Sequence, residues 1–261
     1  MKHGLNGLLL AFQFLTTVPI TRQIPWTARS ARWSIVCYPL TGLVLGGLLV
    51  SLYLLLSPFL SPLVLAALLV TLSIFYSGGL HLDGWMDVSD AFLSRRDRET
   101  KLIILKDSRV GAFAVMTTIL LIGWKVLLLM ELIALAPREF TWLLLLVPVC
   151  LRWMIIVQLI YGKAASDQGM AASLLPYVTT HVKNASRVWF LFIAGACFLL
   201  LQNVILTLCF LLMIWLFPLF WLRVCKREIG GMSGDTIGAS IEGGELFLWG
   251  IMWTFFLSVT A

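Results

Sequence analysis

The sequence has 261 residues, of which 60% are hydrophobic and 12% are charged, and its net charge is +6. So much apolar surface does not fit inside one globule of this length, which excludes an ordinary soluble domain. We therefore expect an all-α protein, a polytopic bundle of transmembrane helices in a lipid bilayer. Basic residues collect in the loops on one side of a membrane, so the positive charge reflects topology and predicts no nucleic-acid partner.

Seven stretches approach the roughly 20 apolar residues that cross ~30 Å of hydrocarbon. They are 34–56, 59–79, 110–135, 141–160, 187–201, 204–222 and 246–260. A shorter run before them, residues 5–18, ends at Pro19 and predicts an interfacial or re-entrant helix, although its composition does not exclude a crossing. No linker or shift in composition divides the chain, so residues 1–261 are predicted to form a single integral-membrane catalytic domain.

The loops at 21–33, 80–109, 161–186 and 223–245 carry nearly all of the Lys and Arg residues. The positive-inside rule places these loops in the cytoplasm. Most carboxylates lie in the same loops, although Asp and Glu contribute little to orientation. One face therefore combines both signs of charge, which is what a site for a metal ion and a phosphorylated substrate requires.

Three aspartates follow one another in the segment "HLDGWMDVSD", residues 81–90. Asp83, Asp87 and Asp90 are spaced i, i+4 and i+7, so on a helix they fall within roughly 60° of one another. Like charges at this spacing repel, and oxygen ligands on a helix face suit Mg²⁺ or Mn²⁺. The alternative is a solvated helix start. His81 beside them is a candidate ligand or base, or a histidine that is only hydrogen-bonded.

Two further segments are predicted to contribute to the same site. Lys106 and Arg109 precede a predicted span, where they and free backbone N–H groups would bind a diphosphate; the positive-inside rule alone also explains basic residues there. The glycine-rich segment 230–245 carries Asp235 and two glutamates, and it is either a phosphate-binding loop or a flexible linker. No P-loop motif is present, so we expect an alcohol to attack a nucleotide-activated phosphate rather than ATP hydrolysis.

The motifs "GGLHLDGWMDVSDAF", "LKDSRVGAF", "SDQGMA" and "GGMSGDTIGASIEGGE", with the N-terminal "FQFLTTVPI", resemble the cobalamin synthase family, the adenosylcobinamide-GDP ribazoletransferases. The resemblance runs in order along nearly the whole chain. It implies a Mg²⁺-dependent enzyme of the bacterial inner membrane, with its active site facing the cytoplasm. Such an enzyme joins adenosylcobinamide-GDP to α-ribazole, or to α-ribazole 5′-phosphate, and releases GMP.

The resemblance also implies roles for residues that match the family's motifs. It predicts a catalytic set of His81, Asp83, Asp87, Asp90 and Asp235, of which the four aspartates would also bind the metal. It predicts a substrate-binding set of Lys106, Asp107, Ser108, Arg109, Gly234, Thr236, Glu242 and Glu245. Spacing does not decide whether Asp235 or Glu242 is the base. Ala91 stands where the family usually has glycine, which puts a sharp turn there in doubt.

Two other classes of protein compete with this interpretation. A CDP-alcohol phosphatidyltransferase would use similar aspartates, but its strict D-x-x-D-G-x-x-A-R spacing is absent. A cation transporter would place acids near the middle of spans, whereas here they gather at one interface and only Lys125, Glu131 and Arg152 are predicted to lie deeper. The sequence does not fix self-association, the number of metal ions or the preferred lower-ligand base.

Overall fold

The computed structural model describes residues 2–260, and Met1 and Ala261 lie outside this range. The described chain consists of helices joined by loops, with a 3-10 turn at Leu175–Tyr177 and an isolated bridge between Ala164 and Met232. The helices are α1 (Lys2–Leu15), α2 (Ala28–Leu56), α3 (Pro62–Ser77), α4 (Leu80–Leu93), α5 (Arg98–Ile104), α6 (Ala112–Leu135), α7 (Pro137–Tyr161), α8 (Met170–Leu174), α9 (Thr180–Leu201), α10 (Val204–Ile229) and α11 (Gly234–Thr260).

Within residues 2–260, five helices are long and apolar enough to cross a membrane, namely α2, α6, α7, α9 and α10. Helices α3 and α4 are bent by 91° at the break between them, and a sixth crossing results if the two together count as one broken span. The all-α membrane fold is therefore confirmed. The stretch 59–79 does not form one straight span: α3 has 16 residues, about 24 Å at 1.5 Å per residue, and Gly78 and Gly79 with positive φ then turn the chain.

The structure also shows how the predicted segments at the two ends of the chain fold. The predicted span 246–260 is the second half of α11, a helix that starts among polar residues and is not among the five span-like helices of the described chain. At the other end, α1 has 14 residues, fewer than the roughly 20 that cross a bilayer. It packs along α2, in line with the short N-terminal helix that was predicted.

Helix α7 forms the centre of the molecule, with α2, α9, α10 and α11 packed around it. The closest approach is to α2, where Gly42 and Gly46 face the backbone of α7. A Cβ added to Gly46 would lie 2.6 Å from the Leu145 carbonyl oxygen. Small residues are typical of such interfaces because, in lipid, helices associate through close packing and not through a hydrophobic driving force. A second group, α4 and α6, packs against α11, which joins the two groups.

Candidate functional site

Two adjoining cavities lie among α4, α5, α11 and the loops between them. The larger one, about 250 Å³, is called here the loop cavity; among its lining residues are His81, Asp83, Lys106, Ser166, Gln168, Ser233, Gly234 and Asp235. The other, about 230 Å³, is called the aspartate cavity; among its lining residues are Asp83, Asp87, Asp90, Lys106, Asp107 and Ser108. Asp83, Leu105 and Lys106 line both cavities, so the carboxylates of one meet the loops of the other.

Gly84 allows α4 and α11 to approach closely at this site. A Cβ added to Gly84 would lie 2.6 Å from the carbonyl oxygen of Asp235, and that oxygen is backbone and cannot rotate away. The start of α11 is fixed by a reciprocal cap, in which Ser233 N donates to Thr236 Oγ1 at 2.8 Å and Thr236 N donates to Ser233 Oγ at 3.2 Å. The close packing and the cap together place Asp235 opposite the aspartates of α4.

The carboxylates of the site act on one another without a fixed cationic partner. Asp87 is half-buried, and the negative charges of the other two α4 aspartates and of Asp235 all act on it. Burial raises the pKa of Asp235, and the charge of Asp83 raises it further, against a hydrogen bond from Ser233 that lowers it. Within the described residues, none of these four aspartates takes part in a salt bridge. Such a site attracts cations.

Asp90 also has a structural task that the sequence did not reveal. Its Oδ2 accepts a hydrogen bond from Gly111 N at 2.6 Å, and its Oδ1 accepts one from Ala114 N at 2.9 Å. Asp90 therefore caps the first turn of α6 from another helix, satisfying two donors that the helix itself leaves free. A carboxylate has further lone pairs, so the predicted role of Asp90 as a metal ligand stays a prediction beside this observed one.

The loop before α6 carries two basic residues, Lys106 and Arg109, which differ in their position relative to the cavities. Lys106 lines both cavities. Arg109 lines neither; its side chain is 88% exposed and pairs with Asp107, with Nη2 at 2.6 Å from Oδ2. Hydrogen bonds from Arg109, together with its charge, lower the pKa of Asp107 to about 2. Lys106 is thus the cation placed to contact a phosphate in the cavities, and Arg109 is held at their rim.

The donor chemistry of the aspartate cavity fits Mg²⁺, because it offers carboxylate oxygens and neither thiolate nor a sufficient set of imidazoles. Within residues 2–260, no three side chains of the His, Cys, Asp or Glu type converge closely enough to hold a metal ion by themselves. Mg²⁺ is usually bound by one or two carboxylates together with substrate phosphates and water. The arrangement is therefore compatible with an ion that arrives with a diphosphate.

Besides Arg109, three further predicted substrate-binding residues line neither cavity. Thr236 is fully buried, and its hydroxyl serves the cap of α11. Glu242 and Glu245 bind Lys125 of α6 instead, with Nζ to Oε2 distances of 2.5 and 2.6 Å. Their assignment to substrate binding thus rests on the resemblance alone, since the structure does not bring them to the cavities.

Glu242 and Glu245 belong to what we call the buried charge cluster, which also contains Lys125 and Arg152. The electrostatic field of both glutamates acts on Arg152, and a small internal cavity is lined by Arg152, Glu242, Glu245 and His81. Only Lys125, Glu131 and Arg152 were predicted to lie deep. Lys125 and Arg152 are indeed buried, whereas Glu131 is exposed; the prediction missed Glu242, which is buried, and Glu245, which is partly buried beside Lys125.

His81 lies between the loop cavity and the buried charge cluster. It lines the loop cavity and also the small internal cavity, and its side chain is buried. Among the described residues, its Nε2 atom has no hydrogen-bond partner. The prediction that His81 belongs to the site is therefore compatible with its position, at the inner wall of the loop cavity.

Several residues of the loop cavity were not predicted as site residues. Ser166 and Gln168 reach it because Ala165 N donates to the Met232 carbonyl at 2.9 Å, which brings the loop after α7 against the loop before α11. Ser233 joins them as the cap of α11. The available signal was the polar run "SDQG" between two apolar spans, at 166–169. No spacing rule connects that run to Asp235, so only the fold shows that they are neighbours.

Fold and site together define a polytopic helical membrane protein whose loops enclose carboxylate-lined cavities with one lysine between them. The chain belongs to the family described as cobalamin-5-phosphate synthase, whose family model matches residues 7–253. Similar proteins are named adenosylcobinamide-GDP ribazoletransferase. That of Geobacillus sp. (strain WCH70) is 40% identical over 97% of each chain. That of Geobacillus kaustophilus (strain HTA426) is 40% identical over 99% of each.

A more distant relative with the same name occurs in Desulfitobacterium hafniense (strain Y51). It is 36% identical, with 93% of this chain and 94% of the relative covered. No solved structure matches the chain. The sequence comparisons therefore extend over the whole fold, including every loop that lines the two cavities.

Proposed function

We propose that this protein joins adenosylcobinamide-GDP to α-ribazole, or to α-ribazole 5′-phosphate, and releases GMP in a late step of cobalamin biosynthesis. The observation that carries the proposal is the meeting of the loop cavity and the aspartate cavity at Asp83 and Lys106. Two adjoining cavities suit two substrates that must react with each other. Family membership over residues 7–253 supports the identity of those substrates.

The reaction is a displacement at phosphorus. A hydroxyl oxygen of the ribazole forms a bond to the phosphorus that bears cobinamide, and the bond from that phosphorus to the bridging oxygen breaks. GMP leaves with the bridging oxygen and its electron pair. The hydroxyl proton passes to a carboxylate, and Asp235 suits this role because it lines the loop cavity and its pKa is raised, which favours accepting a proton.

The remaining residues of the site bind and orient. Lys106 contacts the diphosphate from the wall shared by the cavities, and Ser233, Gly234 and Asp235 at the start of α11 line the same space. Asp83, Asp87 and Asp90 are the residues that would hold Mg²⁺, which when bound neutralises the diphosphate and stabilises the leaving GMP; Asp235, also predicted as a ligand, is assigned the proton instead. Glu242 is unsuited as the base, because it is buried against Lys125 and lines neither cavity.

The same charges support a location and a topology. The exposed basic loops around the site obey the positive-inside rule if the site faces the cytoplasm of a bacterial inner membrane. Labelling of single cysteines introduced at Ser94 and at the exposed Asp167, in the loop after α7, tests this arrangement. Reaction of both with a reagent confined to the cytoplasmic side is expected, and labelling from the opposite side would reverse the topology.

The direct test measures GMP release and cobalamin formation by the purified protein in detergent or liposomes, given adenosylcobinamide-GDP, α-ribazole and Mg²⁺. We expect release that stops with EDTA and in the Asp87→Asn variant. Glu131→Gln removes an exposed carboxylate remote from the cavities and serves as the matched control. A folded wild-type protein that releases no GMP would contradict the proposal, and CDP-activated alcohols would then be tested as substrates.

A further inference from the structure

A groove separate from the catalytic cavities runs along the outside of the bundle between α7, α9 and α10. It encloses about 510 Å³ and is lined mainly by apolar side chains, with Lys183 and Arg187 of α9 as its charged members. Trp153, Phe190 and Trp215 pack their rings together at its centre, with centroids 5.3 to 5.8 Å apart. All three helices are candidate membrane spans. The groove therefore lies between helices that would be surrounded by the acyl chains of the bilayer.

The groove leads into a pocket of the opposite character, which we call the basic pocket. The basic pocket encloses about 270 Å³, and its charged lining residues are Lys163, Arg223 and Lys226. Tyr161, at the end of α7, lines both the groove and the basic pocket. On α10, the residues Trp215, Leu219, Leu222 and Lys226 follow at i, i+4, i+7 and i+11, so one helix face connects the two.

The cations of the basic pocket lack acidic neighbours. No Asp or Glu lines the pocket or the groove. In the part of the chain that the structure describes, Lys163, Arg223 and Lys226 form no salt bridge. The positive-inside rule explains why basic residues occur in these loops. It does not explain why three of them share one pocket that continues into an aromatic groove.

We propose that the groove and the basic pocket together bind one acidic phospholipid, with its phosphate-bearing head group in the pocket and an acyl chain in the groove. Basic pockets between membrane helices are suited to anionic head groups. A zwitterionic lipid would leave the three cations without net compensation. A soluble anion would leave the aromatic groove without an occupant. This inference is independent of the proposed catalytic function.

The lipid would lie directly behind one wall of the loop cavity. Gly231 and Met232 line the basic pocket, and Met232 also lines the loop cavity. This wall is held to the loop after α7 by the bond from Met232 N to the Lys163 carbonyl, 2.8 Å long. A head group bound to the Lys163 side chain thus restrains the segment 230–233, which leads to the cap of α11.

The test uses the full-length protein, purified in detergent and stripped of lipid, and native mass spectrometry. Dioleoyl-phosphatidylglycerol is compared with dioleoyl-phosphatidylcholine, which has the same acyl chains, and with glycerol 3-phosphate as the free head group. We expect about 10²-fold tighter binding of the acidic lipid than of the zwitterionic one, since each basic residue contributes about fivefold. Glycerol 3-phosphate at the same concentration should not displace it.

Two triple variants separate the pocket from general surface charge. Lys163→Gln with Arg223→Gln and Lys226→Gln should remove most of the preference for the acidic lipid while lipid binding as such persists. Arg22→Gln with Arg29→Gln and Arg96→Gln removes the same charge from exposed positions outside the pocket and should keep the preference. Thermal unfolding of both variants confirms that they are folded.

Amide hydrogen exchange provides a second readout. The acidic lipid, and not the zwitterionic one, should slow exchange in residues 230–233. Equal binding of both lipids to the wild type, or equal loss in the two triple variants, would overturn the proposal. Displacement by glycerol 3-phosphate would assign the pocket to a soluble anion, and a dimer broken only by the first triple variant would assign the groove to a second copy of the chain.

Discussion

The aspartate cavity and the buried charge cluster both place carboxylates between α11 and its neighbours, yet their charges are balanced in opposite ways. In the cluster, Glu242 and Glu245 meet Lys125 directly and act electrostatically on Arg152, so two acids face two bases. Where the aspartate cavity meets the loop cavity, Asp83, Asp87, Asp90 and Asp235 act on one another, and within the described chain none of these four is in a salt bridge. The paired charges of the cluster stabilise the fold, whereas the unpaired negative charges of the aspartates are suited to binding a cation.

The two sites are also linked through one helix. Asp235 and Glu242 lie on α11 seven residues apart, about 10 Å along the axis. Packing of α11 against α6 at the cluster therefore helps to fix the position of α11 along its axis, and with it the position of Asp235 relative to α4. The comparison predicts that removing one charge has opposite consequences in the two places: loss of activity at the aspartate cavity, and loss of stability at the cluster.

The largest effect is expected for Asp87→Asn. Turnover should fall at least about 10²-fold, because the variant weakens the site that would hold Mg²⁺, and a metal ion contributes several kcal/mol of transition-state stabilisation. Unfolding in detergent should occur at an unchanged or higher temperature, because the substitution removes repulsion among the aspartates. GMP release and thermal unfolding of the same preparation measure both. A variant that loses stability along with activity would place Asp87 in the fold and not in the reaction.

Lys125→Met should destabilise the protein by about 3–5 kcal/mol, because it leaves two buried glutamates without their cation. The measurement is the free energy of unfolding in detergent. Adding Glu242→Gln to Lys125→Met restores a neutral cluster, with Glu245 facing Arg152, and should recover most of the stability. If the single variant is as stable as the wild type, the cluster is not what holds α6 against α11.

Gly84→Ala tests the close approach of α4 to α11. The added methyl group must displace the Asp235 backbone, and a shift of about 1 Å in a catalytic group costs about 10²-fold in turnover. The measurement is kcat, with the substrate KM determined separately. Gly123→Ala on α6 is the matched control, because a Cβ there meets no atom within 4 Å. Equal activity of the two variants would show that α4 and α11 tolerate separation.

The smallest effect is expected at Asp90, where two roles need to be separated. Asp90→Ala removes both hydrogen bonds to the start of α6 and should cost about 1 kcal/mol of stability, as for other helix caps. Asp90→Asn keeps one of the two acceptors of the cap and should lose less stability than Asp90→Ala. Loss of GMP release in Asp90→Asn would then report the missing charge. Full activity in that variant would restrict Asp90 to capping.

The comparison also shows how far the site was predictable. The stripe of Asp83, Asp87 and Asp90 follows from spacing on one helix, and α4 is indeed a helix over these residues. The loop with Lys106 was placed at the site by its motif. Glu242 and Glu245 of the motif at 230–245 were placed there as well, but they lie about two and three helical turns after Asp235 on α11, where they contact Lys125. A motif shows that residues act together in a family and not that they touch.

The sequence by itself determined the class of this protein, because composition and apolar run length dictate that a chain of this kind folds as membrane helices. It also determined the aspartate stripe, since helix periodicity is a local property. Only the tertiary structure decided that α3 turns by 91° into α4, that Lys125 neutralises the glutamates of α11, and that Asp90 caps α6. The contacts of Lys125 and of Asp90 join residues that are distant in the chain, and the bend depends on the direction in which one helix follows another. The periodicity of a single segment encodes neither kind of information.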